Sequence, residues 1–161
     1  MSGEPVVFNA PWGRLLTGAS VGIALLVSGI MLISKAGGSA LLLLLLIYVL
    51  AAPFIVRGYQ ITPDELVIIR PFWRTRFPLA DFLSTESDIH LMKGTIRLCG
   101  NGGLLSFTGL YRNKKLGKYR AFINDWNKTV VLRFESRTIV VSPDHPEEFI
   151  NAIKEQTGNV A

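Results

Sequence analysis

The apolar residues of this chain are concentrated in two long runs near its N terminus. The first run covers residues 15–34 and the second covers residues 39–56, and neither contains a charged residue or a histidine. The second run includes six consecutive leucines at residues 41–46, so it lacks the polar stripe of a soluble surface helix. About 20 apolar residues in a helix span the hydrocarbon core of a bilayer. The pattern therefore predicts two transmembrane helices joined by an external turn at residues 35–38.

The same pattern has two alternatives to a retained membrane hairpin. The runs could be two buried helices of a soluble domain, or the first run could be a cleaved signal peptide. A signal peptide has a clearly positive start and an apolar segment of about 7–15 residues. Residues 1–14 hold only one acid and one base, and a second apolar run follows almost at once. The retained hairpin is the favoured interpretation.

The distribution of lysine and arginine predicts the orientation of this hairpin. Arg14 precedes the first run, and the loop between the runs contains only Lys35. Four arginines follow the second run, namely Arg57, Arg70, Arg74 and Arg76. Basic residues are enriched on the cytoplasmic side of membrane helices. We therefore expect a multi-pass protein of the inner (cytoplasmic) membrane with both termini, including residues 1–14, in the cytoplasm.

Small residues recur every four positions along the first run. They are Gly18, Gly22, Ser20, Ala24 and Ser28. Small side chains at this spacing let two helix backbones approach closely within a membrane. The second run of the same chain is the favoured packing partner, and homodimerisation through the same face is the alternative.

The periodicity changes after Arg57 to short segments separated by turn residues. Branched and aromatic residues, which favour strands, fill these segments. The predicted strands lie at residues 58–62, 66–69, 74–77, 118–123, 129–134 and 137–141. The fourth and fifth strands flank residues 124–127, a sequence typical of a turn, so we expect them to form a hairpin.

The C-terminal segment has a helical pattern instead. Asp144 precedes Glu147 by three residues, which is the spacing of a capping box, and Gly158 follows the helix. Phe149 and Ile153 lie on one helical face, which must pack against the sheet. The expected fold is a membrane protein of the α+β class: a two-helix hairpin, a mainly-β sandwich or barrel at residues 57–156 capped by this amphipathic helix, and a tail at residues 157–161.

The order of these motifs resembles the bacterial pleckstrin-homology-like domains, which are often found behind one or two membrane helices. The resemblance rests on Tyr59-x-Ile61, Leu66-x-Ile68, Phe72, Pro78-Leu79-x-Asp81, residues 97–103 and 114–117, and Ser142-Pro143-x-x-Pro146-Glu147-x-Phe149. It implies a small sandwich or barrel whose C-terminal helix closes one open end. It does not imply a ligand, since one fold serves many functions.

Motifs for catalysis and cofactor binding are absent from the sequence. The glycines at residues 100–103 match neither a phosphate-binding loop nor a dinucleotide fingerprint, and we expect them to supply positive φ angles in a long connection. Ser142, Asp144 and His145 are too close in sequence to converge as a triad, and His90 is isolated. The single cysteine, Cys99, excludes a thiolate metal cluster and is expected to be partly buried. We therefore predict no enzyme activity, metal or cofactor.

One segment has a charge that points to binding. It contains five bases and no acid, at Arg112, Lys114, Lys115, Lys118 and Arg120. The alternatives are a solvated loop, a contact with anionic lipid head groups and a contact with an acidic protein partner. Nucleic acid is disfavoured because of the predicted membrane tether. The predicted function is a non-catalytic, membrane-anchored module that recruits or regulates a protein partner, with anionic-lipid binding through residues 112–120 as the alternative.

Overall fold

The computed structural model describes residues 4–34, 37–87 and 92–158, which form two β-sheets and three helices. In chain order the elements are β1 (Val6–Asn9), α1 (Arg14–Ser34), α2 (Gly37–Ala51), β2 (Gly58–Ile61), β3 (Glu65–Ile69), β4 (Arg74–Pro78), β5 (Phe82–Glu86), β6 (Ile96–Gly102), β7 (Phe107–Asn113), β8 (Gly117–Ile123), β9 (Val130–Phe134), β10 (Thr138–Val141) and α3 (Pro146–Thr157). The six predicted strands and the C-terminal helix are confirmed. Strands β1, β5, β6 and β7 were not predicted.

The first sheet is an antiparallel meander with the order β1-β2-β3-β4. Its second and third strands are joined by a tight turn, in which the Thr62 hydroxyl accepts a hydrogen bond from the Glu65 N–H at 3.2 Å. Strand β1 comes from the segment before the helices and pairs with β2, placing Phe8 opposite Tyr59. The chain therefore leaves this sheet after β1, forms α1 and α2, and returns to it as β2.

The second sheet has the order β5-β9-β10-β8-β7-β6. Strand β10 lies between β8 and β9, parallel to β8 and antiparallel to β9. The predicted hairpin of β8 with β9 is therefore wrong. The physical reason is burial: Ile139 and Val141 face the first sheet while Val140 faces the opposite side, so β10 is apolar on both faces and takes a central position.

The main core lies between the two sheets and is closed by α3. Phe149 and Ile153 are fully buried in it, as predicted, and the Phe149 ring packs edge-on against Phe8 and Tyr59. The helix ends at Gly158, whose φ of 68° is left-handed, also as predicted. Its start differs from the prediction, because the N-cap is His145 and no side chain forms a capping hydrogen bond.

Helices α1 and α2 contact each other, and the Tyr48 hydroxyl donates a hydrogen bond to the Ser20 carbonyl oxygen at 2.5 Å. Residues 35 and 36 of the predicted turn lie outside the described residues, and Gly37 and Gly38 belong to the first turn of α2. Most large apolar side chains of both helices are exposed, including Leu25, Leu42 and Leu45. The alternative of two helices buried in a soluble domain is therefore not observed.

Within the described ranges, neither these helices nor α3 has the length and apolar character needed to cross a membrane. Helix α2 has 15 residues, which extend about 22 Å against a hydrocarbon core of about 30 Å. Helix α1 has 21 residues, but its first turns pack on the second sheet, where Leu16 is fully buried. The predicted multi-pass location in the inner membrane is therefore wrong, and the transmembrane hairpin is not confirmed.

Candidate functional site

The basic segment found in the sequence forms the hairpin of β7 and β8. Asn113 shapes its turn, because the Asn113 side-chain oxygen accepts hydrogen bonds from the N–H groups of Lys115 at 3.1 Å and Leu116 at 2.7 Å. Gly117 completes the turn with a φ of 68°, which favours glycine. Lys114 and Lys115 lie at the exposed tip of this turn.

The other three bases of the segment lie on one face of the hairpin. Arg112 is paired with Lys118, and Arg120 is two residues further along the same strand. Since side chains alternate across a strand, Arg112, Lys118 and Arg120 point to one side, which we call the basic face. All three are exposed, and in the part of the chain that the structure describes none of them forms an ion pair. The sheet thus gathers three of the five predicted residues.

Arg120 also lines a cleft where the inner face of the second sheet is not covered by the first sheet. We call it the Arg70–Arg120 cleft; its volume is about 390 Å³. The lining residues are Phe54, Arg70, Thr75, Gly100, Asn101, Thr108, Gly109, Arg120 and Phe122. Among the described residues, this lining includes two arginines and no carboxylate, so it is electropositive.

Arg70, which directly follows β3, was not predicted as a site residue. Its guanidinium lies over the ring of Phe122 at 5.0 Å and over that of Trp73 at 5.6 Å. Burial lowers the pKa of Arg70, and repulsion from the nearby Arg120 lowers it further. The sequence signal that could have found it is an arginine directly before Pro71-Phe72-Trp73, where aromatic rings can hold a guanidinium.

Two glycines in the lining of the cleft let strands β6 and β7 approach closely. Gly100 on β6 pairs with Gly109 on β7, and their φ angles are 113° and 146°. A Cβ atom on Gly100 would lie 2.6 Å from the Gly109 Cα atom, so both positions require glycine. Gly100 and Gly103 have the positive φ angles expected from the sequence, whereas Gly102 does not. The predicted long connection is wrong, because Gly100, Gly102 and Gly109 belong to paired strands.

The small residues of α1 lie on different sides of that helix. Ser20 is buried, and its hydroxyl oxygen accepts a hydrogen bond from the Leu105 N–H at 3.2 Å. Gly18 and Gly22 are exposed, and a Cβ atom on either would meet no atom within 4 Å. Ala24 is half-buried, and its carbonyl oxygen accepts a hydrogen bond from the Ser28 hydroxyl at 2.8 Å.

Ser142 and Asp144, two of the residues weighed for catalysis, form hydrogen bonds within the fold. The Ser142 hydroxyl is fully buried and accepts a hydrogen bond from the Asn124 N–H at 2.8 Å. Asp144 accepts one from the side chain of Asn9 at 3.4 Å. Cys99 is exposed rather than partly buried as expected, and His90 lies outside the described residues. Among the described residues, no three His, Cys, Asp or Glu side chains are grouped as metal ligands.

The sheets and the closing helix agree with a known domain family. The sequence profile of the bacterial PH domain family matches residues 57–157. The chain belongs to this family. The matched PH domain contains strands β2 to β10 and helix α3, and β1 extends its first sheet. No curated protein and no solved structure matches the chain.

Membership in this family gives the general class of function. PH domains are generally non-catalytic binding modules, so the family match supports an interaction module rather than an enzyme. The resemblance noted in the sequence is thus confirmed for the PH-like domain itself.

Proposed function

We propose that this protein is a non-catalytic interaction module whose PH domain binds an acidic, extended segment of a partner protein. The observation that supports this proposal is the position of β6 at an edge of the second sheet, beside the hairpin that carries the basic face. Strand β6 has seven residues, and nearly all of them are exposed. An edge strand of this length presents unpaired N–H and C=O groups to which another chain can add.

The side chains of β6 also suit a protein partner. Ile96 and Leu98 are 68% and 48% exposed, and together they give an apolar surface on the edge. Because strands lie about 4.8 Å apart, a segment added to β6 runs roughly 10 Å from β7. The long side chain of Arg112 covers part of that distance. Acidic residues on the added segment are therefore attracted to the basic face, while its backbone pairs with β6.

Anionic lipid is the second candidate for the same surface. It is favoured by the convergence of Arg112, Lys118 and Arg120 on one face without an ion pair in the described parts of the chain. Each base near an anionic lipid surface contributes about 1 kcal/mol. Lipid binding needs no contact with the edge of β6, whereas the protein partner pairs with that edge.

A cross-linking experiment separates the two candidates. Cys99 is the single cysteine of the chain, is exposed and lies on β6, so a maleimide photo-cross-linker can be attached there specifically. The matched control is Cys99→Ser combined with Ser136→Cys, which moves the label to the exposed turn between β9 and β10. We expect protein adducts from Cys99 in native extracts, none from the control position, and fewer adducts when Arg112→Glu and Lys118→Glu are added.

The adducts and a vesicle assay then decide the function. Adducts that map by mass spectrometry to an acidic segment support the protein partner. Equal labelling from Cys99 and from position 136 refutes it. Flotation with anionic vesicles, but not with neutral ones, that is lost in the Arg112→Glu and Lys118→Glu variant supports the lipid candidate instead.

A further inference from the structure

The Arg70–Arg120 cleft brings two positive charges together without a carboxylate to balance them. The ion pairs in the described residues involve Arg76, Arg133 and Arg137, and neither arginine of the cleft takes part in one. Two guanidiniums placed this close repel each other. An anion bound between them removes that repulsion and accepts charge-assisted hydrogen bonds from both.

Unpartnered donors also point to an absent ligand. The Arg70 Nε atom and the Thr108 hydroxyl are buried, and neither has a hydrogen-bond partner among the described residues. Thr108 is 3% exposed, on β7, and lines the cleft beside the glycine pair. Buried polar groups are nearly always hydrogen-bonded in native proteins. Two of the five such atoms in the described residues therefore belong to residues that line this cleft, where a ligand oxygen would supply an acceptor.

Part of the cleft lining is aromatic. Phe54, in the turn that follows α2, is 42% exposed and its ring packs edge-on against Trp73 at 5.6 Å. Leu50, one turn earlier in the chain, is 62% exposed. Phe54 therefore gives the cleft an exposed apolar wall close to the end of α2. The volume of about 390 Å³ lies within the range of small-molecule sites.

We infer that the Arg70–Arg120 cleft binds an amphiphilic carboxylate, with the carboxylate between the two guanidiniums and its hydrocarbon chain against Phe54. A carboxylate matches the fork of a guanidinium with two parallel hydrogen bonds. It carries a single charge, so it loses less hydration than a phosphate dianion when it enters a cleft with aromatic walls. The cleft is lined in part by Gly100 and Asn101 of β6 and shares Arg120 with the basic face, but the inference does not rest on the proposed protein partner.

The test is a titration of the full-length chain, in a neutral detergent, with octanoate labelled with carbon-13 at the carboxyl carbon. The carboxyl signal reports contact with the guanidiniums, and detergent alone provides the blank. We expect saturable binding and a lowered pKa of the bound octanoate, because the two positive charges favour its ionised form. Acetate, which has the head group alone, and octanol, which has the chain alone, should each bind at least tenfold more weakly.

The variants address the two arginines separately. Arg70→Gln and Arg120→Gln should each weaken octanoate binding at least tenfold. The exposed Arg74→Gln, a matched control four residues from Arg70 and outside the cleft, should bind as wild type. Arg70→Gln also removes packing against Phe122, so the exposed Arg120→Gln keeps the test valid if the first variant unfolds.

Three results overturn the inference. They are equal octanoate affinity in wild type and Arg120→Gln, no saturable binding by wild type, and tighter binding of octyl phosphate than of octanoate. A loss of cross-linking from Cys99 with octanoate binding intact refutes only the partner proposal, so the two failures are distinguishable.

Discussion

Asn124 is a buried side chain that connects both ends of the helical pair to the second sheet. Its side-chain N–H groups donate hydrogen bonds to the carbonyl oxygens of Ala10 at 2.9 Å and Val56 at 2.8 Å. Ala10 precedes α1 and Val56 follows α2. Asn124 is fully buried, and Ala10 and Val56 are 6% and 1% exposed, so these groups are shielded from bulk solvent. Asn124→Ala therefore leaves two buried carbonyl groups without these donors.

The expected loss of stability follows from the free-energy cost of a buried carbonyl group that lacks a hydrogen bond. Each buried polar group left unsatisfied costs about 1–3 kcal/mol. We expect Asn124→Ala to lower the free energy of unfolding by about 3 kcal/mol, which is a large part of the roughly 5–15 kcal/mol typical of a domain. In urea, where such domains lose about 1–3 kcal/mol per molar denaturant, the unfolding midpoint should fall by roughly 1–3 M.

The assay is urea unfolding of the full-length chain followed by tryptophan fluorescence. Asn127→Ala is the matched control, since Asn127 is the same residue type three positions later and is exposed. That variant should stay within about 0.5 kcal/mol of wild type. If Asn124→Ala also stays within that margin, the hydrogen bonds to Ala10 and Val56 do not stabilise the fold and the reasoning is refuted.

Two further predictions concern the core. Phe149→Ala should cost about 3–5 kcal/mol, because this ring is fully buried between the sheets, and a loss below about 1 kcal/mol in thermal or urea unfolding would contradict the docking of α3. Burial raises the pKa of Tyr59 from 10.0 to about 12, although hydrogen bonds with Ser142 partly offset this. The unfolded chain therefore releases this proton first, so Tyr59 should stabilise the fold fully below pH 10 and progressively less as the pH rises from about 10 to about 12. Tyr59→Phe should flatten that part of the profile of unfolding free energy against pH, and an unchanged slope would contradict the raised pKa.

The candidate site shows how far sequence reasoning reached. The five bases of the segment stand out because they are adjacent in sequence, and Arg120 was found in this way. Arg70 was missed, because it is 50 residues away along the chain and meets Arg120 only when the two sheets pack together. Strands β6 and β7 were missed because the glycines at residues 100, 102, 103 and 109 resemble turn signals. In the structure, Gly100 and Gly109 are paired on β6 and β7 and line the cleft.

For the two apolar runs, the local sequence signal was strong. It predicted the helices but not what they pack against. Composition alone predicted α1 and α2. It did not predict that Leu16 and Ser20 pack on the second sheet. It also did not predict that the segment before α1 joins the first sheet as β1. Such contacts depend on residues more than 50 positions apart, and no pattern within a short window contains them.

The sequence by itself determined the elements whose signals are local: six strands with apolar and branched residues, the amphipathic face of α3 with Phe149 and Ile153, its end at Gly158, and the basic character of residues 112–120. Tertiary structure alone decided the insertion of β10 between β8 and β9, and the meeting of Arg70 with Arg120. The physical reason is that the periods of helix and strand are set by neighbouring residues, whereas strand order depends on which distant apolar faces bury each other most completely.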